Sequence, residues 1–324
     1  MILKVARLVD VATCLVCVLL GAGAAMVIPL ANGFTYTPHA PISIVGNSDF
    51  TSVNGVTGGS GTNSDPYIIQ GWTISCCQSP RILIRDTTAN FVVRDIELTG
   101  GGSMTLSNVA NGAVEDLPRS SATSLDLVGD RKFLVDNVTG AGTFNVTNST
   151  LVKISRSSGG ISISSSNQIS VVGNDAESFV VGFRNPFNVV TALRSTQVSI
   201  SGNRYYTVYL DGSSGVSITN NYLGASCCTT DFTGLRINNS KHVTISRNIF
   251  NSDTEVASSG SSSLEIFDNI LENSVTGAVV LDSCSNVSLR DNQILGGVDE
   301  YPGIARISSC NNMKIVENTF NSPN

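Results

Sequence analysis

Charge is scarce in this chain, and histidine scarcer still. Lysine and arginine number 19 against 25 aspartates and glutamates, for a net charge of −6 and only 14% charged residues. Phosphate binding needs a concentrated basic face; none is present, which excludes a nucleic-acid partner. Two histidines, His39 and His242, and four scattered methionines supply no cluster of soft ligands for copper. No two aspartates are adjacent. The run Gly55-Val-Thr-Gly-Gly-Ser-Gly-Thr62 lacks the Gly-Lys-Ser/Thr ending of a phosphate loop, and no helical period follows it. Beyond the N-terminus there is no long apolar run, so the body is expected outside the membrane.

What the chain does have is one short pattern, repeated. It reads Ile169-Ser-Val-Val-Gly-Asn174, Val198-Ser-Ile-Ser-Gly-Asn203, Val216-Ser-Ile-Thr-Asn-Asn221 and Val243-Thr-Ile-Ser-Arg-Asn248. It continues as Leu264-Glu-Ile-Phe-Asp-Asn269, Val287-Ser-Leu-Arg-Asp-Asn292 and Met313-Lys-Ile-Val-Glu-Asn318. Two residues past each asparagine stands Ala176, Tyr205, Leu223, Phe250, Leu271, Ile294 or Phe320. Starts of successive copies lie roughly 18 to 29 residues apart, a period that signals a solenoid. The first and third positions are expected to face a core. Each asparagine is expected at a left-handed bend, with its amide bonded to the coils above and below.

Short alternating runs such as Ile82-Leu-Ile84, Phe91-Val-Val93, Leu125-Asp-Leu127 and Val208-Tyr-Leu210 read as strands, and no helix is evident. From about residue 100 to 160 the motif blurs. Ser103-Met-Thr-Leu-Ser-Asn108 fits it partly, and Phe91-Val-Val-Arg-Asp-Ile96 places isoleucine where asparagine is expected. The predicted fold is all-β: a single-stranded right-handed parallel β-helix of roughly 11 coils after an N-terminal apolar leader. The expected division is 1–32 leader, 33–63 lead-in or N-terminal capping segment, and 64–324 β-helix.

Lys4 and Arg7 precede an apolar stretch, Val11 to Leu30, and Ala22-Gly-Ala24 suits signal-peptidase cleavage. The leader is either a cleaved signal or, uncleaved, a membrane anchor, the sole expected membrane contact. Outside it, Cys76, Cys77, Cys227, Cys228, Cys284 and Cys310 are disulfide candidates in an exported chain, with about 15 complete pairings. Cys284 and Cys310 both stand three residues before a motif start, so they are expected to stack as a thiol ladder or a disulfide. The adjacent pairs are candidates for bonds within the chain or between copies. Sequons begin at Asn137, Asn145, Asn148, Asn238 and Asn286.

The chain resembles the right-handed parallel β-helix repeat proteins, the superfamily that includes pectate lyases and NosD-like periplasmic proteins. Gly58-Gly-Ser-Gly-Thr-Asn-Ser-Asp-Pro-Tyr-Ile-Ile-Gln-Gly-Trp72 is similar to the segment leading into the first coil of archaeal surface members. Low charge and paired cysteines resemble proteins of the sheath around filamentous methanogenic archaea. One such scaffold hosts unrelated activities. Sugar-cleaving members work with close carboxylates or with a metal and a base. Here Asp211 and Asp282 share a motif-relative position about three coils apart, on the order of 14 Å, too far for one metal ion. Arg236 and Arg306 lie near that column. No catalytic residue, metal or cofactor is assigned.

The reading is a secreted structural protein of a surface layer or sheath. It would assemble from its own copies through coil contacts and disulfides, with cell-surface glycans as a further partner. A polysaccharide lyase and a glycan-binding or adhesion module are the alternatives. No capping helix follows Asn318, and Pro323 is at most a small blocker, so an assembly face is expected there.

Overall fold

A computed structural model describes residues 28–29, 35–75, 79–117, 124–175, 189–224, 233–251, 254–274, 278–296 and 305–321. It divides into two compact units, Met1–Gly142 and Thr143–Asn324. The N-terminal run falls mostly outside the described residues. Its described part, Ile28–Pro29, pairs antiparallel with Thr35 and Tyr36. No helix among the described residues is long and apolar enough to cross a membrane.

In the second unit each coil contributes a strand to each of up to three parallel sheets. The first sheet runs from Thr143–Thr147 to Ala305–Ser308, the second from Thr150–Ser155 to Asn311–Val316, and the third from Arg204–Tyr205 to Thr319–Asn321. Register is strict. Val198 pairs with Ile169, Val216 with Val243, Leu264 with Val287, and Val287 with Met313. Side chains alternate across a strand, so the first and third motif positions fall on the inner face. Ile169 to Leu289 in these two columns are 0–2% exposed. The residue two past the asparagine opens the third sheet: Leu223, Phe250, Leu271 and Ile294 are each 0% exposed. Ala176 lies outside the described residues.

The first unit is built on the same coil. Ile42–Val45, Ile82–Thr87, Ser103–Val109 and Ser124–Val128 form one parallel sheet. Tyr67–Ile69, Phe91–Arg94, Gly112–Leu117 and Arg131–Val138 form another. Residues 42–45 thus already belong to the sheet. The helical elements among the described residues are two 3-10 turns, Asn47–Asp49 and Ser52–Asn54. Gly112 sits between the rings of Phe91 and Phe133, whose centroids are 6.2 Å apart. A Cβ there would stand 2.3 Å from the Phe133 ring and 2.7 Å from that of Phe91.

The blurred section has a physical cause. Where the second unit carries an asparagine, the first carries Ile96, Leu117 and Val138, exposed by 1, 2 and 2%. The column is aliphatic at these three coils and amide from Asn174 onward, with Ser157 between them, while the coil stays the same.

Candidate functional site

The left-handed residue at each bend is not the asparagine. It is the residue before it: Gly173, Gly202, Asn220, Arg247, Asp268, Asp291 and Glu317 have φ between 56° and 63°. This corrects the expectation that the asparagine itself takes the left-handed backbone. The asparagine has to turn its amide into the core, and the kink before it does that. Across these bends its backbone N–H bonds to a side chain in the next coil.

The ladder runs without a gap from Asn174 to Asn318. The backbone N–H of Asn203 donates to Asn221 Oδ1 at 3.0 Å, and Asn203 Nδ2 donates to the same oxygen at 2.9 Å and to Val171 O at 2.9 Å. The same three bonds recur at Asn174, Asn221, Asn248, Asn269 and Asn292. Asn318 Nδ2 donates to Leu289 O. These amides are 0–3% exposed from Asn174 to Asn292. A buried polar group is tolerated only when its bonds are made. Here they are, so the column holds coil to coil and has no spare group for chemistry.

A second ladder escaped the sequence reading. Three residues before each of the seven motif starts stands Ser166, Ser195, Ser213, Ser240, Ser261, Cys284 or Cys310, and Ser149 holds the same place before Val152 of the preceding coil. Ser166 Oγ accepts the Ser149 N–H at 3.1 Å, Ser195 Oγ accepts that of Ser166 at 3.2 Å, and Ser213 Oγ accepts that of Ser195 at 3.2 Å. Ser240 and Ser261 continue the column. Each again follows a left-handed residue, such as Arg194, Gly212, Asn239 or Gly260. The Cys284–Cys310 register carries the same signal, since both stand three residues before a motif start. In the first unit Thr87, Val109 and Asp130 stand at the corresponding bend. Asp130, 1% exposed, accepts the Val109 N–H at 2.8 Å through Oδ1. Burial pushes its carboxyl up to about 7, and hydrogen bonds to the backbone of Val109 and Val128 offset this only in part.

The outward columns carry the residues of interest for sugars. Asp211 aligns with Asn238, Ser259, Asp282 and Ser308 in successive coils, so the two aspartates stand three coils apart. Asp211 Oδ1 accepts from Asn239 Nδ2 at 3.1 Å, and Asp282 Oδ1 accepts from Ser308 Oγ at 2.6 Å. Arg236 and Arg306 lie in the neighbouring column, which also holds Thr191 and Tyr209. Among the described residues no three His, Cys, Asp or Glu side chains are placed to hold a metal ion. His39 packs its ring 4.7 Å from that of Trp72, and His242 is exposed at a left-handed position.

Cys76, Cys77, Cys227 and Cys228 lie outside the described residues. Cys284 and Cys310 carry free thiols in one ladder, and the Cys284 N–H donates to Cys310 Sγ at 3.3 Å.

The sequons differ in their surroundings. Asn137, Asn145 and Asn238 are half-buried; Asn137 Nδ2 donates to Asp116 at 2.7 Å and Asn238 Nδ2 to Tyr209 Oη at 3.3 Å. Asn148 and Asn286 are exposed at left-handed bends, φ 51° and 54°. Asn286 uses only its Oδ1, which accepts from Asn312. A glycan joined to Nδ2 fits these two without breaking a contact. Peptide mass spectrometry of native protein is expected to find glycan at Asn148 and Asn286 and none at the other three. Occupancy at Asn238 with bare Asn148 and Asn286 would contradict this.

The model of the right-handed β-helix region matches residues 188–324. No curated protein matches the chain. Among solved structures it is similar to PfbA, a surface adhesin of Streptococcus pneumoniae. The TM-score is 0.52 at 14% identity, over 79% of this chain and 80% of that one. It is also similar to the A-module of the mannuronan C-5 epimerase AlgE6 of Azotobacter vinelandii. There the TM-score is 0.50 at 12% identity, over 80% of this chain and 89% of the other. Identities this low speak for the fold alone. With the in-register parallel sheets of both units, they establish the architecture: this chain has the right-handed parallel β-helix fold.

Proposed function

We propose that the protein is a secreted structural component of a cell-surface layer or sheath, assembled from its own copies through coil contacts and cysteine crosslinks. The carrying observation is how the repeated residues are used. Every asparagine and serine of the two ladders bonds one coil to the next, which suits a part whose task is to persist.

Assembly draws on a second feature. The coil of Ala305–Ser308, Asn311–Val316 and Thr319–Asn321 brings the apolar columns to the surface. Ile307, Ile315 and Phe320 are 38, 46 and 45% exposed, against 0% for Leu281, Leu289 and Ile294 one coil earlier. Apolar columns beside open strand edges are covered by further β-structure in matching register. Under this reading a second copy supplies that cover.

The test is electrophoresis of native material with and without reductant, with electron microscopy for ordered arrays. Higher species that dissociate on reduction are expected. An Ile315→Asp/Phe320→Asp variant is expected to shift the protein at least tenfold toward monomer. A monomer without reductant, showing no arrays, would remove the reading.

Adhesion to glycans is the second reading, favoured by one observation. Outward positions of the second unit set cations beside aromatic rings, with Arg204 5.0 Å from the centroid of Tyr222 and Arg236 beside Tyr209 in register. Stable monomers retained on immobilised glycans without turnover would decide for it. Release of unsaturated uronates would decide for a lyase.

A further inference from the structure

The serine ladder changes chemistry at two consecutive coils. Six coils of the second unit place serine at this position, and the next two place Cys284 and Cys310. A hydroxyl is the better acceptor for the backbone N–H that the ladder serves, because sulfur accepts weakly. Hydrogen bonding therefore gives no reason for two adjacent cysteines.

Their placement gives another reason. Cys284 Sγ contacts Asp282 O at 3.3 Å and Cys310 Sγ contacts Ser308 O at 3.2 Å, the contact to the carbonyl two residues back that Ser195 makes with Leu193. Both thiols thus hold the same ladder posture. Register is intact on either side, since Asp282 pairs with Ser308 and Ser285 with Asn311. In-register neighbours on adjacent strands are about 4.8 Å apart, inside the roughly 4.4–6.8 Å that a disulfide spans between Cα atoms. Cys310 Sγ stands 3.3 Å from the Cys284 backbone nitrogen, so the Cys310 thiol lies against Cys284.

We propose that Cys284 and Cys310 close into a disulfide that joins consecutive coils of the second unit. The oxidant is a small-molecule disulfide of the exterior. The thiolate of Cys310, the more accessible of the two, attacks one sulfur of that disulfide and releases one small thiolate. The thiolate of Cys284, 1% exposed, then attacks the Cys310 sulfur and displaces the second. Two protein thiols are oxidised, one external disulfide is reduced to two thiols, and the two protons pass to the departing thiolates. Burial raises the Cys310 thiol above its ordinary value, so closure is slower than for an exposed cysteine. Crosslinks between copies then fall to Cys76, Cys77, Cys227 and Cys228.

The inference rests on the exported reading only for its oxidant, and the experiment separates the two. The full chain is equilibrated in a glutathione redox buffer, acid-quenched, unfolded, alkylated without reductant, digested and weighed. The expected product is a linked peptide pair joining Cys284 to Cys310, lighter by two hydrogens than the separate peptides. A Cys284→Ser/Cys310→Ser variant restores the ladder the other coils use and serves as the folded control. Reductant is expected to lower the thermal midpoint of wild type by several degrees more than that of the variant. Separately alkylated Cys284 and Cys310 in the oxidising buffer would overturn the pairing. A linked pair in buffer, with free thiols in protein taken directly from its source, upholds the pairing and removes the exported reading.

Discussion

Replacing Asn248 with alanine is expected to lower the unfolding free energy by about 4 kcal/mol, from two buried donors losing their acceptor at roughly 1–3 kcal/mol each. Those donors are the Asn221 backbone N–H and Asn221 Nδ2, at 2.9 and 3.0 Å from Asn248 Oδ1. Two acceptors also lose a donor, Asn269 Oδ1 in the next coil and Ile218 O in the coil of Asn221. Asn248 is 0% exposed, so water does not replace these bonds without opening the coil. An Asn248→Asp variant separates shape from bonding. It keeps an acceptor toward Asn221 but turns a second oxygen toward two acceptors, Asn269 Oδ1 and Ile218 O. The aspartate is expected to destabilise at neutral pH by as much as the alanine and to recover part of the loss in acid, where it donates again. Urea unfolding of the three proteins decides. A cost for alanine within about 1 kcal/mol would show the ladder to be incidental.

Asp130 is expected to withdraw stability from the fold as pH rises from about 4 to about 7. Its unfolded value is the ordinary 3.8, and in the fold it stands at about 7. The folded state therefore holds a proton in this window that the unfolded state has released. Its contribution is present in full below the lower value and is lost as pH rises through the upper one. A gap of about three units at 1.36 kcal/mol each sets the loss on the order of 4 kcal/mol. An asparagine in its place would keep an oxygen for the Val109 N–H and cannot ionise. The Asp130→Asn protein is expected to match wild type at pH 4 within about 1 kcal/mol and to exceed it by several at pH 8. Other carboxylates titrate equally in both proteins, so they cancel in the difference. Parallel profiles for the two proteins would overturn the assignment. A serine at this site, the residue the second unit uses, is expected to act as asparagine does.

Much of this was legible in the chain. The apolar positions and the asparagine six residues into each copy are local, and their spacing forces parallel stacking because only coils in register can bury them. The Cys284–Cys310 register could be read by counting back from the motif. The positions of Asp211, Asn238, Asp282 and Ser308 in one outward column followed from the same count.

Other features depended on neighbours that no local pattern names. Which residue at a bend takes the left-handed backbone is set by which side chain must point inward, and that is known only once the coil is closed. Gly173, Arg247 and Glu317 share that conformation though their side chains have nothing in common. The serine ladder was hidden in a chain full of serine, since buried and exposed serines look alike in one dimension. Asp130 reads as an ordinary turn residue until the Val109 N–H is found beside it. The sequence by itself determined the coil, its period and its inner columns, because burial of alternating apolar residues leaves one arrangement. Tertiary structure alone decided which polar groups are withdrawn from water, because each takes its partner from a different coil, 17 to 32 residues away along the chain.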